Sequence, residues 1–458
     1  MTADDEVVAL RAANAALQAE TAQVRADLAA ARDLIAQLQA RIAELEQRKT
    51  PPPAFVKANT AQKEATGPRK KRDPRHNAGR RREKPTRIEH HALERCPACG
   101  YLLRGQSIAR RRQVIDLPPP PPVMVTEHQL LKRYCPVCQR WWTPRPDWTG
   151  QVLGQGRVGV RLVSLIAYLR TVARLPLRTI QEYLATLHQV HLSTGALADL
   201  LGRVSQATAL ERAALLAQAR ASPLAHLDET GWRENGQNGY VWGLATPGPQ
   251  PVRYYHYDRS RAGTVATDLL GDFDGHLSSD FYGGYNRYAG QHQRCWAHLL
   301  RDLHTLKEEH ATDAGVVGWA QAVRTLYDDA QAALDGPPLP AALRTKLARQ
   351  LEAQAFRLGV RYAGLKGHPC RALARRLLRH QGELFEFVRV PGLSADNNAA
   401  ERLLRPVVMQ RKISGGTRSA HGSATRMALA TLFETWRARG LNAFHECLSV
   451  LHFPLPQV

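Results

Sequence analysis

No stretch of the chain reaches the roughly 18–20 consecutive apolar residues that a membrane-spanning helix needs. A protein threaded through a bilayer is therefore not expected. The N-terminus is acidic and polar and has no apolar core segment, so it does not read as an export signal. Cysteine is scarce: seven residues in 458, four of them in two tight pairs and three scattered. In a chain with no export signal that usage reads as a metal site, not a disulfide framework. Acidic residues are also short. Asp plus Glu is 41 against 63 for Lys plus Arg, a formal net charge of +22. Such an excess says nothing about fold, but it attracts polyanions through counterion release on a phosphate backbone. Nucleic acid is the first expectation and an anionic membrane surface the second. No strong internal repeat is visible. The length suggests about three domains, and these traits together point to a cytoplasmic, nucleoid-associated protein.

Residues 1–48 read as a coiled coil. Val7, Asn14, Thr21, Leu28, Ile35 and Ile42 form one seam, and Leu10, Leu17, Val24, Ala31, Leu38 and Leu45 the other. These are a and d positions over six heptads. Glu6 with Arg11, Glu20 with Arg25, Asp27 with Arg32 and Arg41 with Glu46 sit at g and the following e, where they attract across a parallel pair. Asn14 at an a position favours a parallel dimer in fixed register. A homodimer or higher oligomer follows, the plainer alternative being one long helix packed on its own chain. Pro51-Pro52-Pro53 ends the helix. Residues 49–90 then read as a basic linker that cannot bury a core. Its clusters Arg69-Lys70-Lys71-Arg72 and Arg80-Arg81-Arg82 suit non-specific DNA contact. Residues 149–220 read as helical. Two short helical patterns, 177–187 and 193–204, flank Val190-His191-Leu192, with Ser193 as the second cap. This is either a helix-turn-helix or an ordinary helical hairpin. Residues 221–458 begin with short strands at 224–228, 240–246, 252–257 and 275–280 and a helix at 264–270. They continue mostly as helix over 294–390, 396–412 and 421–451.

The span 91–148 carries Cys96-Pro97-Ala98-Cys99-Gly100 and Cys135-Pro136-Val137-Cys138. Two residues between thiolates let both sulfurs of a pair reach one tetrahedral zinc ion. A closed structural site of Cys96, Cys99, Cys135 and Cys138 holding one Zn²⁺ is expected, with a β-hairpin arm formed by strands at 112–117 and 123–128. A redox dithiol is the competing reading. Around the pairs, Arg110, Arg111, Arg112, Lys132, Arg133, Arg140, Trp141 and Trp142 mix cations with aromatics in a way that suits DNA. Cys295, Cys370 and Cys447 read as buried thiols.

Asp228 ends an apolar strand. Asp280 ends a second, Leu277-Ser278-Ser279-Asp280. Glu401 falls in the first turns of a helix opened by Asp396-Asn397-Asn398. Two strand-borne aspartates and a helix-borne glutamate are the oxygen donors that a pair of Mg²⁺ or Mn²⁺ ions needs for phosphoryl transfer. Each carboxylate has a structural alternative as a turn or cap residue, and Asn398 with Glu401 also spells a capping box.

These segments together resemble a known family. Asp228-Glu229-Thr230, Ser279-Asp280-Phe281-Tyr282, Arg294-Cys295-Trp296-Ala297-His298 and Asp396-Asn397-Asn398 to Glu401-Arg402, with Arg405-Pro406 and Arg411-Lys412, are similar to the DDE transposases of the insertion-sequence-sixty-six family. So are the coiled coil, the basic linker and the four-cysteine module with Val114-Ile115-Asp116-Leu117-Pro118 and Val125-Thr126-Glu127-His128. The resemblance covers nearly the whole chain. It implies a multidomain protein: an N-terminal α coiled coil, a small β zinc-ribbon-like module, a helical DNA-binding segment, and an α/β ribonuclease-H-like catalytic domain over 221–458. In that domain a mixed sheet has helices on both sides and a helical insertion at about 305–390. It implies Asp228, Asp280 and Glu401 as ligands of two Mg²⁺ (or Mn²⁺) ions. The expected reaction is cleavage at transposon ends and strand transfer into target DNA, both double-stranded, with accessory proteins of the same element as possible partners. His298 and Arg301 are candidate groups at the scissile phosphate or leaving oxygen. Arg294, Asn397, Asn398, Arg402 and Arg405 are candidate DNA contacts. The alternative for the helical ones is polar residues that share a helix face. His226 reads as a packed strand histidine. One departure is local: Ile413-Ser414-Gly415-Gly416-Thr417-Arg418 stands where the family tends to have a Phe-containing stretch before Gly-Ser. The rival functions are a non-catalytic DNA-binding regulator derived from a transposase and another ribonuclease-H-like metal nuclease. All three carboxylates in matching contexts argue against the first, and the long N-terminal apparatus against the second.

Overall fold

The computed structural model describes residues 3–47, 82–120 and 123–453. Two compact units divide the chain, Met1–Leu117 and Pro118–Val458. The boundary falls within the span 91–148, so the two cysteine pairs lie in different units.

In the first unit α1, Ala3–Gln47, is a single 45-residue helix. Its seam residues Leu17, Val24, Leu28, Ile35 and Leu38 are 51–61% exposed, an apolar stripe left open along the helix. The clusters at 69–72 and Arg80 and Arg81 lie outside the described residues; Arg82 is exposed. In the second unit β1, Arg133–Cys135, and β2, Arg140–Trp142, form a two-stranded antiparallel pair. The strands expected at 112–117 and 123–128 do not form, and their apolar side chains stay exposed, Val114 at 81% and Met124 at 90%. Neither run has a second apolar face to bury, and a lone hairpin is marginal in water.

Four helices follow: α2 (Val160–Thr171), α3 (Leu177–His188), α4 (Thr194–Ala207) and α5 (Ala209–Arg220). Ser193 caps α4 as expected, its hydroxyl accepting the Ala196 N–H at 3.1 Å. These helices share one core with the sheet. Val163, Ile166, Leu184 and Leu197 pack in the same cluster as Leu227, Trp242, Leu244 and Leu277. The 149–220 segment is thus part of the body that carries the sheet, because its apolar stripe has no other surface to cover.

The sheet has five strands: β3 (Leu224–Glu234), β4 (Gln237–Ala245), β5 (Arg253–Asp258), β6 (His276–Ser279) and β7 (His292–Arg294), with α6 (Gly263–Leu270) between β5 and β6. Spatial order is β5-β4-β3-β6-β7. The first three strands pair antiparallel, and β6 and β7 run parallel to β3. Asn235-Gly236, with φ of +49° and +77°, makes the two-residue turn between β3 and β4. This turn extends β3 well past the expected end at residue 228.

After β7 comes a helical block with its own core: α7 (Trp296–Glu309), α8 (Ala314–Leu334), α9 (Ala341–Ala363), α10 (Arg371–His380) and α11 (Glu386–Arg389). Trp296, Leu299, Trp319, Val323, Leu351, Leu377 and Phe385 pack together there. The block begins at Trp296, earlier than the expected 305. Finally α12 (Asn398–Ser414), α13 (Ala420–Ala438) and α14 (Ala443–His452) return to the sheet. Among the described residues no helix is long and apolar enough to cross a membrane.

Candidate active site

Strand β3 is the spine of the site. Its alternation sends His226, Asp228, Thr230 and Trp232 to one face, and α12 with its flanking turns runs along that face. At the near end Asn397 is wholly buried. Its Nδ2 donates to the Leu227 carbonyl at 2.9 Å, its Oδ1 faces His226 Nδ1 at 3.1 Å, and its backbone N–H meets Cys295 Sγ at 3.1 Å. Since the amide nitrogen points at a carbonyl, Oδ1 is the acceptor and His226 donates from Nδ1. In the middle, Asp228 pairs with Gly243 of β4. A Cβ on Gly243 would lie 2.7 Å from Leu403 Cδ2 and 2.9 Å from Leu404 Cδ2, so the glycine lets α12 settle beside Asp228. Further along, Arg411 donates to the Gly231 carbonyl and Trp232 Nε1 donates to Thr417 Oγ1 at 3.0 Å. The Gly415-Gly416 departure noted above is where α12 ends, Gly415 in the left-handed region at φ +68°, and where Thr417 turns back to bridge Glu234.

The parallel register brings in the second aspartate. His226 pairs with Ser278, so Asp228 and Asp280, each two residues on, occupy adjacent positions at the C-terminal side of the pairing. Asp280 Oδ1 accepts the Tyr282 N–H at 2.8 Å and closes a turn. Glu401 lies in the first turn of α12, its N–H bonded to the Asn397 carbonyl at 3.2 Å. The alternative reading of Asn398 and Glu401 as a capping box is not realised: Asn397, not Asn398, caps α12, and without a side-chain cap bond. Burial, then the charges of Glu229 and Asp280 and more weakly that of Glu401, push Asp228 up to about 8, against the Glu229 N–H bond that lowers it. A group of carboxylates that raises its own proton affinity in this way favours a cation in their midst. The donors are all oxygen, which suits a hard divalent ion. They are neighbours without forming a ready cage: among the described residues no three His, Cys, Asp or Glu side chains converge closely enough to hold a metal ion.

The other predicted residues divide. His298 on α7 has Nε2 3.8 Å from Glu401 Oε1, and its Nδ1 is buried with no partner. Arg301, Arg402 and Arg405 are exposed, and Asn398 is half-buried and bonded to Asp396 at 2.6 Å. Two expected DNA contacts are interior. Asn397 is the clamp just described. Arg294 is 1% exposed and lies in β7, not on a helix face with His298 and Arg301. Its guanidinium is spent on Glu383 at 2.5 Å, Asn286 Oδ1 at 2.6 Å and the Asp280 carbonyl at 2.8 Å. Burial made these residues structural, because polar groups closed off from solvent and bonded inside the protein are not presented to DNA.

Sequence reading missed the opposite face of β3. There the Glu229 side chain is 3% exposed and held by Arg261, Nη2 to Oε1 2.7 Å, and by the Tyr285 hydroxyl. Arg261 also stacks over Tyr282 at 4.2 Å. The period-two alternation of the strand was the available signal, since it sets Glu229 opposite Asp228.

Each cysteine pair forms a knuckle of its own. The Arg95–Leu102 bridge flanks Cys96 and Cys99, and β1 and β2 flank Cys135 and Cys138. The residue after the second cysteine is left-handed in both, Gly100 at φ +72° and Gln139 at φ +50°. All four thiols are free. The backbone N–H of Ala98, then that of Cys99, lowers the Cys96 thiol; those of Cys138 and Val137 lower Cys135. Both knuckles therefore favour thiolate, the metal-binding form.

Comparison with known proteins gives these features a class. Residues 155–425, which hold the sheet, the helical block and all three carboxylates, match transposases, and residues 94–139 match the zinc-finger binding domain of transposase IS66. The chain belongs to the transposase IS66 family. It is 33% identical over 183 residues to the uncharacterized protein y4jO of Sinorhizobium fredii, covering 39% of this chain and 52% of that protein. It is 28% identical over 211 residues to a second uncharacterized protein of the same organism, y4qI, covering 42% and 38%. The chain thus spans about half, or less, of the length of these curated relatives.

Proposed function

We propose that this protein binds the double-stranded ends of a transposon, cleaves a phosphodiester there and transfers the strand to target DNA, with Asp228, Asp280 and Glu401 as ligands of two Mg²⁺ or Mn²⁺ ions. The observation that carries the reading is the register of β3 and β6, which sets the two aspartates side by side, with α12 clamped over them by Asn397. The strand order β5-β4-β3-β6-β7, three antiparallel then two parallel, supports a ribonuclease-H-like domain.

Two divalent ions supply activation of the attacking oxygen and charge stabilisation of the leaving one. The residues of the chain do the rest. Asn397 and Gly243 fix the spacing of α12 from β3. His298 offers a protonatable nitrogen beside Glu401. Arg301, Arg402 and Arg405 present cations for flanking phosphates. In the first step a water oxygen bonds to phosphorus and the 3′-oxygen leaves, taking a proton. In the second that 3′-hydroxyl attacks a target phosphodiester and displaces its 3′-oxygen. The four thiolates Cys96, Cys99, Cys135 and Cys138 hold one structural Zn²⁺, a reading supported by the zinc-finger match and the thiolate-favouring knuckles. DNA contact extends to the linker cations and the α3–α4 pair, and the exposed seam of α1 serves self-association.

The test is strand cleavage and joining on DNA carrying the ends that flank the gene, with Mg²⁺ or Mn²⁺, wild type beside Glu401→Gln. Cutting by the wild type and binding without cutting by the variant is the expected result. Binding without cutting by both, with accessory proteins added, would make the DNA-binding regulator the better account. Cleavage retained in Glu401→Gln would remove that residue from the ligand set.

A further inference from the structure

The helical block carries a charge pattern that the carboxylate site does not use. Residues 341–380, comprising α9, α10 and their connection, contain ten Lys and Arg and a single acid, Glu352. Glu352 is already taken, paired with Arg389 at 2.5 Å. At about 100° per residue, Lys346, Arg349, Arg357 and Arg361 fall in one arc of α9, on the side away from the buried Ala348, Leu351, Ala355, Gly359 and Tyr362. On α10, Arg371, Arg375 and Arg379 stand one turn apart, away from the buried Leu373, Ala374, Leu377 and His380. The two helices pack closely because Gly359 admits Leu378; a Cβ there would be 2.7 Å from its side chain and 3.1 Å from the Ala374 carbonyl. Lys346, Arg349, Arg357, Arg375 and Arg379 are exposed and make no ion pair or hydrogen bond among the described residues.

A helix face that is merely solvated usually interleaves both signs, because like charges at i, i+4 destabilise a helix. Here, among the described residues, none of these five cations has an acid bonded to it to offset the repulsion. We propose that the outer face of α9 and α10 is a DNA-binding surface separate from the carboxylate site, one that takes the phosphate backbone of duplex DNA without reading its sequence. The identity of the polyanion rests on the transposase reading; the surface itself rests on the charge pattern. Backbone phosphates fit because a guanidinium needs only an oxyanion partner and a duplex presents them in a continuous row.

The experiment measures equilibrium binding of the full-length protein to a duplex of unrelated sequence, by fluorescence anisotropy in EDTA across a salt series. Wild type is compared with the combined Arg349→Gln, Arg357→Gln, Arg375→Gln and Arg379→Gln variant, since Gln keeps helix propensity. Every phosphate that is no longer neutralised lowers the slope of log K against log salt by about 0.9, so the slope should fall by about 2–4 and affinity near physiological salt by about tenfold or more. The matching four-Lys variant should keep the wild-type slope, which a purely structural role of the arginines would not predict. An unchanged slope and affinity in the Gln variant would overturn the proposal. So would a changed sedimentation coefficient with unchanged DNA binding, which would make the face, with the exposed Phe356 and Val360 beside it, a contact between protein chains. Binding is read without cleavage, so failure here leaves the Glu401→Gln comparison untouched, and failure there leaves this result standing.

Discussion

Asn397 and its neighbours show how single atoms set the site. The amide is buried and joins the strand before Asp228 to the helix turn that carries Glu401. Asn397→Asp would put a carboxylate oxygen against the Leu227 carbonyl, replacing an attraction with a repulsion of similar geometry. We expect a loss of about 1–3 kcal/mol in a urea unfolding curve. We also expect about tenfold weaker Mn²⁺ binding by calorimetry, the scale on which groups supporting metal ligands act. Wild-type Mn²⁺ affinity in a folded Asn397→Asp protein would reject the clamp. The Asp-Asn-Asn spelling was legible as part of a family pattern. That Asn397 points inward while Asn398 stays half-buried was not, because both are equally polar in sequence and only the packing of α12 on β3 separates them.

At the scale of elements, β7 and its neighbour β6 are tied by His292. Its Nε2 lies 2.7 Å from Ser279 Oγ, and burial, then the charge of Arg294, holds it down to about 3. Unfolded, the imidazole titrates near 6.5. Between those values the unfolded chain binds the extra proton, so stability falls as pH drops from about 6.5 toward 3. At pH 4.5 the contribution is about 2–3 kcal/mol at most, from about 1.4 per unit. Asp228, raised to about 8, works the other way over the same range, so the test is the difference between two proteins: from pH 7 to pH 4.5 the melting temperature of His292→Asn should fall less, or rise more, than that of the wild type, and equal slopes would show that His292 plays no part. The strand itself escaped the sequence, being three polar residues, His-Gln-Arg, with no alternation to read. The cysteine knuckles were the opposite case, local and spelled out. Cys138→Ser should lower zinc content measured by mass spectrometry and weaken binding to transposon ends, and full zinc occupancy in that variant would refute the four-thiolate site.

For the whole molecule, the exposed seam of α1 is the surface on which the proposed self-association rests. Exposed leucine and isoleucine repeating over heptads have a large apolar area to bury, and a second α1 offers the matching stripe. Leu28→Glu with Ile35→Glu should reduce the mass seen by light scattering to that of one chain while leaving the zinc content intact. A wild-type protein that is already monomeric at micromolar concentration would end the dimer proposal. Loss of assembly should also cost affinity for paired ends by removing the second, linked binding event.

What the sequence determined by itself was whatever is local or periodic: the long amphipathic α1, the paired cysteines, the Ser193 cap, the strands that bear Asp228 and Asp280, and the basic excess. Each depends on spacing within a few residues, which the chain states directly. Tertiary structure alone decided which polar residues are spent inside, that Arg294 and Asn397 brace the site, that α2 to α5 join the core of the sheet, and that five cations of α9 and α10 stand exposed with no ion-pair partner among the described residues. These follow from burial and from contacts between residues as far apart as Leu227 and Asn397, and burial is a property of the packed chain, not of any segment read alone.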